Sequence, residues 1–364
     1  MAETTQSHAF PSGSVAKLSI IETKARIGNI PISAFFGPPL DGYERLALMP
    51  AWSFLVESST GRRIVFDLAM NNNPETVTPG VEKEIASVEA TVEIPKTVAQ
   101  VLSEGGVSLK SIESIVWSHW HIDHVGDPST FPDTPEIVVG PGAKEAILPT
   151  YPENEDSQFH EKMMKGKTLR EVVFDGSLKF YDFDAVDFFG DGSFYLIDLP
   201  GHALGHIGGV VRTTTNPDTF AVLSGDLYHI AGELRPNVQK PLPAHISLAP
   251  PRGNTDAKES TVYPRSALER LQTARGRDVD EPFFEVVSAV AHDAALANEM
   301  LKKAQIPDAL ENILFLAAHD DALIDVANFF PDTANNWKEL GWKKRLEWAF
   351  LTHFAPSIQS QVGA

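Results

Sequence analysis

The 364-residue sequence contains no cysteine. Disulfides, thiolate nucleophiles and cysteine-based zinc sites are therefore excluded, and any metal must be held by histidine and carboxylate side chains. A chain without cysteine is compatible with a reducing compartment, and we expect an intracellular, cytoplasmic protein.

The sequence also lacks an apolar run that could span a bilayer, and its start has no apolar core of signal-peptide length. Positive charge is scarce as well, because 30 Lys and Arg stand against 49 Asp and Glu, a formal net charge of −19. This charge disfavours nucleic acid and anionic membranes as partners, since neither would gain from counterion release. We expect no partner of either kind.

The remaining composition, 43% apolar and 22% charged, is that of a globular protein with a sizeable core. We expect residues 1–15 to form a loose arm and residues 16–364 to form one domain, with insertions at 149–170 and 231–283. Strands alternate with helices along this domain, which favours an α/β fold: an αββα sandwich of two mixed β-sheets flanked by helices.

Local patterns predict individual elements. "AWSFLVE" and "RIVFDLA" are apolar strands joined by the turn "SSTGR", which indicates a hairpin that ends at Asp67. "PKTVAQVLSEGG" predicts a helix stopped by glycine, and "PFFEVVSAVAHDAALANEMLKKAQ" predicts a longer helix that contains His292. The segment 231–283 is rich in proline and charge, and a loop of this length indicates a lid or a pocket wall.

The chemistry is concentrated in "VWSHWHIDHVGD", residues 116–127, which holds three of the 12 histidines. Alternate residues of an extended segment face the same side, so His119 and His121 could converge on one ion. Asp123 and His124 follow at the predicted start of a helix and would face a neighbouring position. One segment thus offers ligands to two metals, which is typical of a dinuclear site whose ions lie roughly 3.5–4 Å apart around a bridging hydroxide.

"HWHIDH" resembles the HxHxDH signature of the metallo-β-lactamase superfamily. "LPGHALGH", "VLSGDLYH" and "FLAAHD" resemble the later ligand blocks of that superfamily, in the expected order, so that the resemblance extends over about residues 45–325. It implies that one zinc is held by His119, His121 and His202. It further implies that Asp123, His124 and His319 hold a second zinc and that Asp226 bridges the two. Zinc is the default metal for such ligands, with iron or manganese as alternatives.

The resemblance implies a hydrolase in which a metal-bridging hydroxide attacks a carbonyl, Asp123 and Asp226 assist, and Asp226 carries a proton to the leaving group. The pattern is most similar to the N-acyl homoserine lactonase and methyl parathion hydrolase-like branch, so we expect a small cyclic ester or amide, such as a lactone or lactam, as substrate. A thioesterase or other ester hydrolase is the alternative, and an iron-dependent sulfur dioxygenase or a non-catalytic descendant is less favoured. Dimers are common in the lactonase-like branch, which allows a homodimer.

Some side chains keep two interpretations at this point. Lactonases carry a tyrosine three residues after the bridging aspartate, where this chain has His229, with Tyr228 one residue earlier. Either could line the pocket as a catalytic residue, or merely pack. Asp67 could orient a ligand histidine or cap a strand, and His206 favours a structural role over a ligand role. Phe188, Phe189 and Phe194 could line an apolar pocket, but a hairpin core is favoured.

Overall fold

The computed structural model describes residues 10–131, 136–250 and 260–363. The strands in these ranges, in chain order, are Lys17–Ile21 (β1), Arg26–Gly28 (β2), Phe36–Gly37 (β3), Met49–Pro50 (β4), Ser53–Glu57 (β5), Arg63–Phe66 (β6), Thr91–Glu93 (β7), Ile112–Val116 (β8), Glu136–Val139 (β9), Thr168–Glu171 (β10), Leu178–Phe180 (β11), Phe183–Asp187 (β12), Phe194–Asp198 (β13), Ile207–Thr214 (β14), Thr219–Leu223 (β15), His245–Leu248 (β16), Thr261–Pro264 (β17), Glu285–Val286 (β18) and Ile313–Leu316 (β19).

The α-helices of the same ranges are Pro79–Ser87 (α1), Val98–Glu104 (α2), Ile122–Val125 (α3), Ala143–Ile147 (α4), Glu161–Met164 (α5), Arg265–Ala274 (α6), Ala294–Ala309 (α7), Leu323–Val326 (α8), Trp342–Leu346 (α9) and Ala355–Gln359 (α10). Short 3-10 helices lie between them, among them Ala231–Glu233. Within the described ranges, none of these helices has the length and apolar character needed to cross a membrane.

Two six-stranded mixed sheets form the centre of the fold. The first has the order β1-β5-β6-β8-β9-β10, and the second has the order β11-β12-β13-β14-β15-β19. The predicted hairpin is present, since β5 and β6 pair antiparallel. From β6 to β10 the strands of the first sheet run parallel, whereas in the second sheet only β15 and β19 do.

Side-chain alternation along the strands produces the layers. In β15, Ala221 and Leu223 face the first sheet, whereas Phe220 and Val222 pack with the helix α7. On the first sheet, Val65 belongs to the cluster that includes Leu102 of α2. The predicted αββα sandwich of two mixed sheets is confirmed.

The N-terminal segment differs from the expected loose arm. Residues 1–9 lie outside the described residues, but Phe10 is buried and stacks on Tyr195 with ring centroids 3.6 Å apart. The Ser14 amide donates a hydrogen bond to the carbonyl of Asp191 at 2.8 Å. Residues 10–15 are therefore packed on the second sheet, because an aromatic side chain near the start of the chain fills part of the core.

The long C-terminal helix begins later than the pattern predicts. Asp293 caps α7 by accepting a hydrogen bond from the amide of Leu296 at 3.0 Å, so the helix starts at Ala294. Upstream of the cap, β18 pairs with β3 instead of continuing a helix. His292 thus lies before the helix and not within it, and the prediction of a helical His292 was wrong.

Candidate metal centre

The seven predicted ligands all lie in loops that follow the carboxyl ends of strands. His119, His121, Asp123 and His124 follow β8, His202 follows β13, Asp226 follows β15 and His319 follows β19. Because β13, β15 and β19 run in the same direction, their ends meet at one edge of the second sheet. The end of β8 reaches the same place from the first sheet, so both sheets contribute to the centre.

The first group contains His119, His121, His202 and Asp226. The three rings point nitrogens at one another: His119 Nε2 lies 2.9 Å from His121 Nδ1, and His202 Nε2 lies 3.0 Å from the same atom. The distance between the Nε2 atoms of His119 and His202 is 3.2 Å. Ligands of a single small ion are arranged in this way.

The second group contains Asp123, His124 and His319. His319 Nε2 lies 3.4 Å from Asp123 Oδ2, and His124 Nε2 lies 3.7 Å from Asp123 Oδ1. All of these side chains are brought together as the sequence predicts.

Asp226 lies between the two groups and turns one carboxylate oxygen towards each. Its Oδ2 lies 3.5 Å from His202 Nε2 and 3.7 Å from His119 Nε2. Its Oδ1 lies 3.3 Å from the Nε2 atoms of both His124 and His319. A carboxylate in this position could bridge two metal ions.

The electrostatics of the first group fit a cation. Burial, together with the neighbouring histidines, lowers the pKa of His119 and of His202 well below the ordinary value, and burial lowers the pKa of His121 to about 4. Three neutral rings that direct nitrogens at one another cannot all donate hydrogen bonds, so unshared lone pairs face the same point. Imidazole nitrogen and carboxylate oxygen are suitable ligands for zinc.

In the part of the chain that the structure describes, two buried polar atoms that face each other at the second group lack hydrogen bonds, and one of them comes from Asp226. Among the described residues, the buried atoms His124 Nε2 and Asp226 Oδ1 have no hydrogen-bond partner. Unpaired buried polar atoms are costly, and a bound cation would satisfy both. The residues present therefore fit a pair of divalent metal ions.

Hydrogen bonds behind the rings orient their inward nitrogens. His319 Nδ1 lies 2.7 Å from the carbonyl of Pro50, and since a carbonyl only accepts, Nδ1 carries a proton and Nε2 is the nitrogen that faces the centre. His124 Nδ1 lies 2.9 Å from Asp67 Oδ2. The same carboxylate accepts hydrogen bonds from the amide and the hydroxyl of Ser118, at 2.6 and 2.7 Å. Of the two interpretations of Asp67, the structure supports the one in which it orients a histidine.

His206 supports the loop that carries Asp226. Its Nδ1 donates to the carbonyl of Leu199 at 2.7 Å, and its Nε2 accepts the amide proton of Asp226 at 3.1 Å. Gly225 has φ +50, and a Cβ on it would come within 2.7 Å of His206 Nε2. The close turn thus requires glycine, and His206 acts structurally, as the sequence favours.

A pocket of about 660 Å³, including the part open to solvent, lies in front of the candidate ligands. Its apolar wall comes from α1 and from the small sheet of β4, β2 and β7, with Ile27, Met49, Ile85 and Val88 among its residues. No described residue of 231–283 lines it, so the prediction of a pocket wall there was wrong for the described part; residues 251–259 lie outside the described residues. No local pattern marks the true wall, because it is assembled from segments distant in sequence.

The structure separates the two side chains that follow Asp226. His229 lines the pocket, whereas Tyr228 is buried in the core and does not line it. Burial raises the pKa of Tyr228 well above its ordinary value. The expectation that Tyr228 is a catalytic pocket residue is corrected accordingly. Phe188, Phe189 and Phe194 pack on one another as the hairpin core.

Comparison with known proteins agrees with this architecture. The sequence profile of the metallo-beta-lactamase superfamily matches residues 47–273. The chain is 36% identical to the gamma-lactamase FDB1 of Fusarium pseudograminearum strain CS3096, over 96% of this chain and 85% of that protein. It is 37% identical to the metallo-hydrolase mfmC of Annulohypoxylon moriforme, over 90% of this chain and 84% of that protein.

Among solved structures, the fold is similar to that of an AiiA variant from B. thuringiensis with N-decanoyl-L-homoserine bound at its active site. The TM-score is 0.55 at 15% identity, over 88% of this chain and 99% of that one. The fold and the histidine-aspartate centre define a metal-dependent hydrolase. The chain belongs to the metallo-β-lactamase superfamily.

Proposed function

We propose that this protein is a dinuclear zinc hydrolase that opens a small cyclic ester or amide. The observation that carries the proposal is the position of Asp226, whose two oxygens face two separate ligand groups at 3.3–3.7 Å. His119, His121 and His202 would hold one ion, and Asp123, His124 and His319 would hold the other. When bound, two such ions make hydroxide available near neutral pH and polarise the carbonyl of the substrate.

The residues of the chain would have distinct roles around this chemistry. Asp226 would orient the attacking water through its carboxylate and later carry the proton to the leaving atom of the ring. Asp123 would keep the second ion next to the pocket. The apolar wall would bind the body of a small substrate and exclude bulk water. The names of the relatives FDB1 and mfmC, a gamma-lactamase and a metallo-hydrolase, support a lactam or a related ring as substrate.

The test combines elemental analysis of the purified protein with a panel of lactones, lactams, esters and thioesters, assayed before and after chelation. We expect about two zinc ions per chain and chelator-sensitive opening of one class of ring. Cleavage of thioesters alone would replace the proposal by the thioesterase alternative. One iron per chain without hydrolysis, or no bound metal, would contradict it.

A matched pair of variants connects activity to the centre. Asp226→Asn removes the charge between the two groups and should abolish both second-ion binding and ring opening. Asp198→Asn changes a partly buried carboxylate at the end of β13, outside the candidate ligands, and should retain both. Equal activity in the two variants would contradict the role given to Asp226.

A further inference from the structure

A second cavity lies beside the pocket that faces the candidate ligands. Its volume is about 370 Å³, including the part open to solvent, against about 660 Å³ for the pocket. Both volumes lie in the range of small-molecule sites, about 300–1,000 Å³. Apolar side chains line most of the second cavity, among them Met70, Val81, Val92, Ile94 and Met163.

Two isoleucine residues separate the second cavity from the pocket. Ile85, in the last turn of α1, and Ile122, between two of the candidate ligands, line both spaces. A hydrogen bond from the side-chain amide of Gln158 to the carboxylate of Glu84 crosses the same boundary, because Gln158 lines the second cavity and Glu84 lines the pocket. We call this boundary, formed by Ile85 and Ile122 beside that hydrogen bond, the partition.

The helix that carries Ile85 is held in place by the loop on its other side. Thr78, which caps α1, donates its hydroxyl proton to the carbonyl of Ser157 at 2.7 Å. Gly80 packs so closely on this loop that a Cβ on it would lie 2.5 Å from the carbonyl oxygen of Asp156. The partition is therefore part of a docked helix and forms a fixed wall of the pocket.

The second cavity suits a hydrocarbon group better than a polar one. Its polar side chains in the described ranges are Asn71 and Gln158, and both amide groups already donate hydrogen bonds, to Thr76 Oγ1 at 3.0 Å and to Glu84 respectively. An apolar cavity gains free energy when an apolar group fills it. An alkyl substituent that could pass the partition would thus be bound favourably.

We propose that Ile85 determines the size limit of the substrate, because its side chain closes the second cavity to any substituent on the ring that is opened. The enzyme then prefers compact rings whose apolar substituents end at the partition. Ile122 closes the remainder of the boundary, but it lies between candidate ligands, so Ile85 is the position at which the limit can be changed without altering them. This inference rests on the proposed function and narrows its substrate class.

The kinetic test uses the zinc-loaded protein and rings of the class that it opens, with an unbranched alkyl substituent that grows from methyl to hexyl at each ring carbon in turn. Each methylene that becomes buried should raise kcat/KM by about fourfold. In the parent protein this rise should stop where the chain meets the partition. In Ile85→Ala it should continue for about two or three further methylenes, so that the preference for the longest chain over methyl increases by roughly 10- to 100-fold.

Three further variants control for indirect effects. Val88 directly follows α1 and lines the pocket but not the second cavity, so Val88→Ala should widen the pocket and leave the limit at the same chain length. Adding Val92→Phe to Ile85→Ala refills the second cavity from β7 and should restore the limit of the parent. Ile85→Val, a milder truncation, should give a smaller increase. Each preference is a ratio measured within one variant, so losses of folding or metal affect both substrates equally.

A second readout requires no turnover. Calorimetric titration of the zinc-loaded protein with the ring-opened products measures how tightly each substituent is bound. We expect Ile85→Ala to bind the hexyl product roughly 10- to 100-fold more tightly than the parent does, and the methyl product with the same affinity as the parent.

The outcomes separate the two proposals. An unchanged chain-length limit in Ile85→Ala, or a gain that persists after Val92→Phe refills the cavity, overturns the role of Ile85 while the hydrolase proposal stands. A rise in kcat/KM that continues to hexyl in the parent protein overturns it in the same way, because the second cavity would already be open. Failure to open any ring in the panel overturns both.

Discussion

At the scale of single residues, Asp67 links two functions in one side chain. Its φ of +59 places it in the left-handed region, at the bend where β6 ends. The bend turns its carboxylate towards Ser118 and His124, which lie in the loop after β8. The strand end and the histidine orientation therefore depend on the same residue.

We predict that Asp67→Asn weakens binding at the second metal position by about 10- to 100-fold. Asparagine tolerates the left-handed backbone, but its amide NH₂ would face two donors, the Ser118 hydroxyl and the proton on His124 Nδ1. His124 would then place its proton on Nε2 and lose the lone pair that faces the centre. A competition titration with a chromogenic chelator measures this loss.

Asp127→Asn is the matched control for that experiment. Asp127 is also buried, but its partners are Asn73, Thr76 and the amide of Ser129 instead of a histidine. This variant should lose stability and keep its metal affinity. Two metal positions of unaltered affinity in Asp67→Asn would show that the carboxylate is only a strand cap.

The role of a residue could be predicted from the sequence where a local motif defines it. It could not be predicted where the conformation of a loop determines which way the side chain points. The ligand blocks were recognisable because histidines and aspartates occur at short, fixed spacings after apolar strands. Tyr228 and His229 could not be separated, because the two-fold alternation of a strand does not extend into the loop after Leu223. Only the fold shows that one of them faces the pocket and the other the core.

At the scale of elements, the end of α7 is tied to the segment 231–283 by buried charge. Asp308 is 0% exposed, Arg235 donates to its Oδ2 at 2.8 Å, and Lys240 Nζ lies 3.3 Å from that oxygen. Burial alone would raise the pKa of Asp308, but Arg235 and then Lys240 hold it well below its ordinary value. These ion pairs hold the start of the segment 231–283 against the end of α7.

We predict that Asp308→Asn costs about 3–5 kcal/mol of unfolding free energy at pH 7, because it leaves the buried Arg235 without its carboxylate partner, whereas Lys240 keeps Glu347 at 2.9 Å. A carboxylate whose pKa is lower in the folded state contributes stability above its unfolded pKa, about 3.9, and loses it as the pH falls further. The metal-free parent should therefore lose more stability than the variant between pH 5 and pH 3. Urea unfolding of both metal-free forms measures this, and parallel pH profiles would contradict it.

Elements with local end signals were predictable from the sequence. Thr97 and Gln100 form a capping box at the start of α2, and Gly105 ends that helix, as the pattern indicates. The structure of the region before α7 could not be predicted in this way, because pairing between β18 and the distant β3 outweighs the helical spacing of its apolar residues. Long-range pairing of this kind leaves no local trace in composition.

At the scale of the whole molecule, the candidate centre connects the two halves of the sandwich. His119 to His124 come from the first sheet, whereas His202, Asp226 and His319 come from the second. The ligand residues themselves were predictable, because their motifs are local. The pocket wall was not, since β2, β4, β7 and α1 are short elements assembled only when the chain is folded.

Because the centre joins both sheets, metal binding should contribute to the stability of the entire fold. An ion that binds only the folded state stabilises it by about 4 kcal/mol when its free concentration is 1,000 times Kd, which for a chain of this length corresponds to a rise in Tm of about 5 °C. We predict a loss of this size after chelation, measured by calorimetry, and its recovery when zinc is restored.

Asp226→Asn provides the control for this prediction. It removes a buried anion that pairs with His124 and His319, so its metal-free form should melt below the metal-free parent, and zinc should raise its Tm much less than it raises that of the parent. If zinc raised the Tm of the variant as much as that of the parent, the ions would bind elsewhere or to one sheet alone. A zinc-dependent Tm in the parent that is lost with Asp226 would instead mean that the cation which serves the chemistry also joins the two sheets.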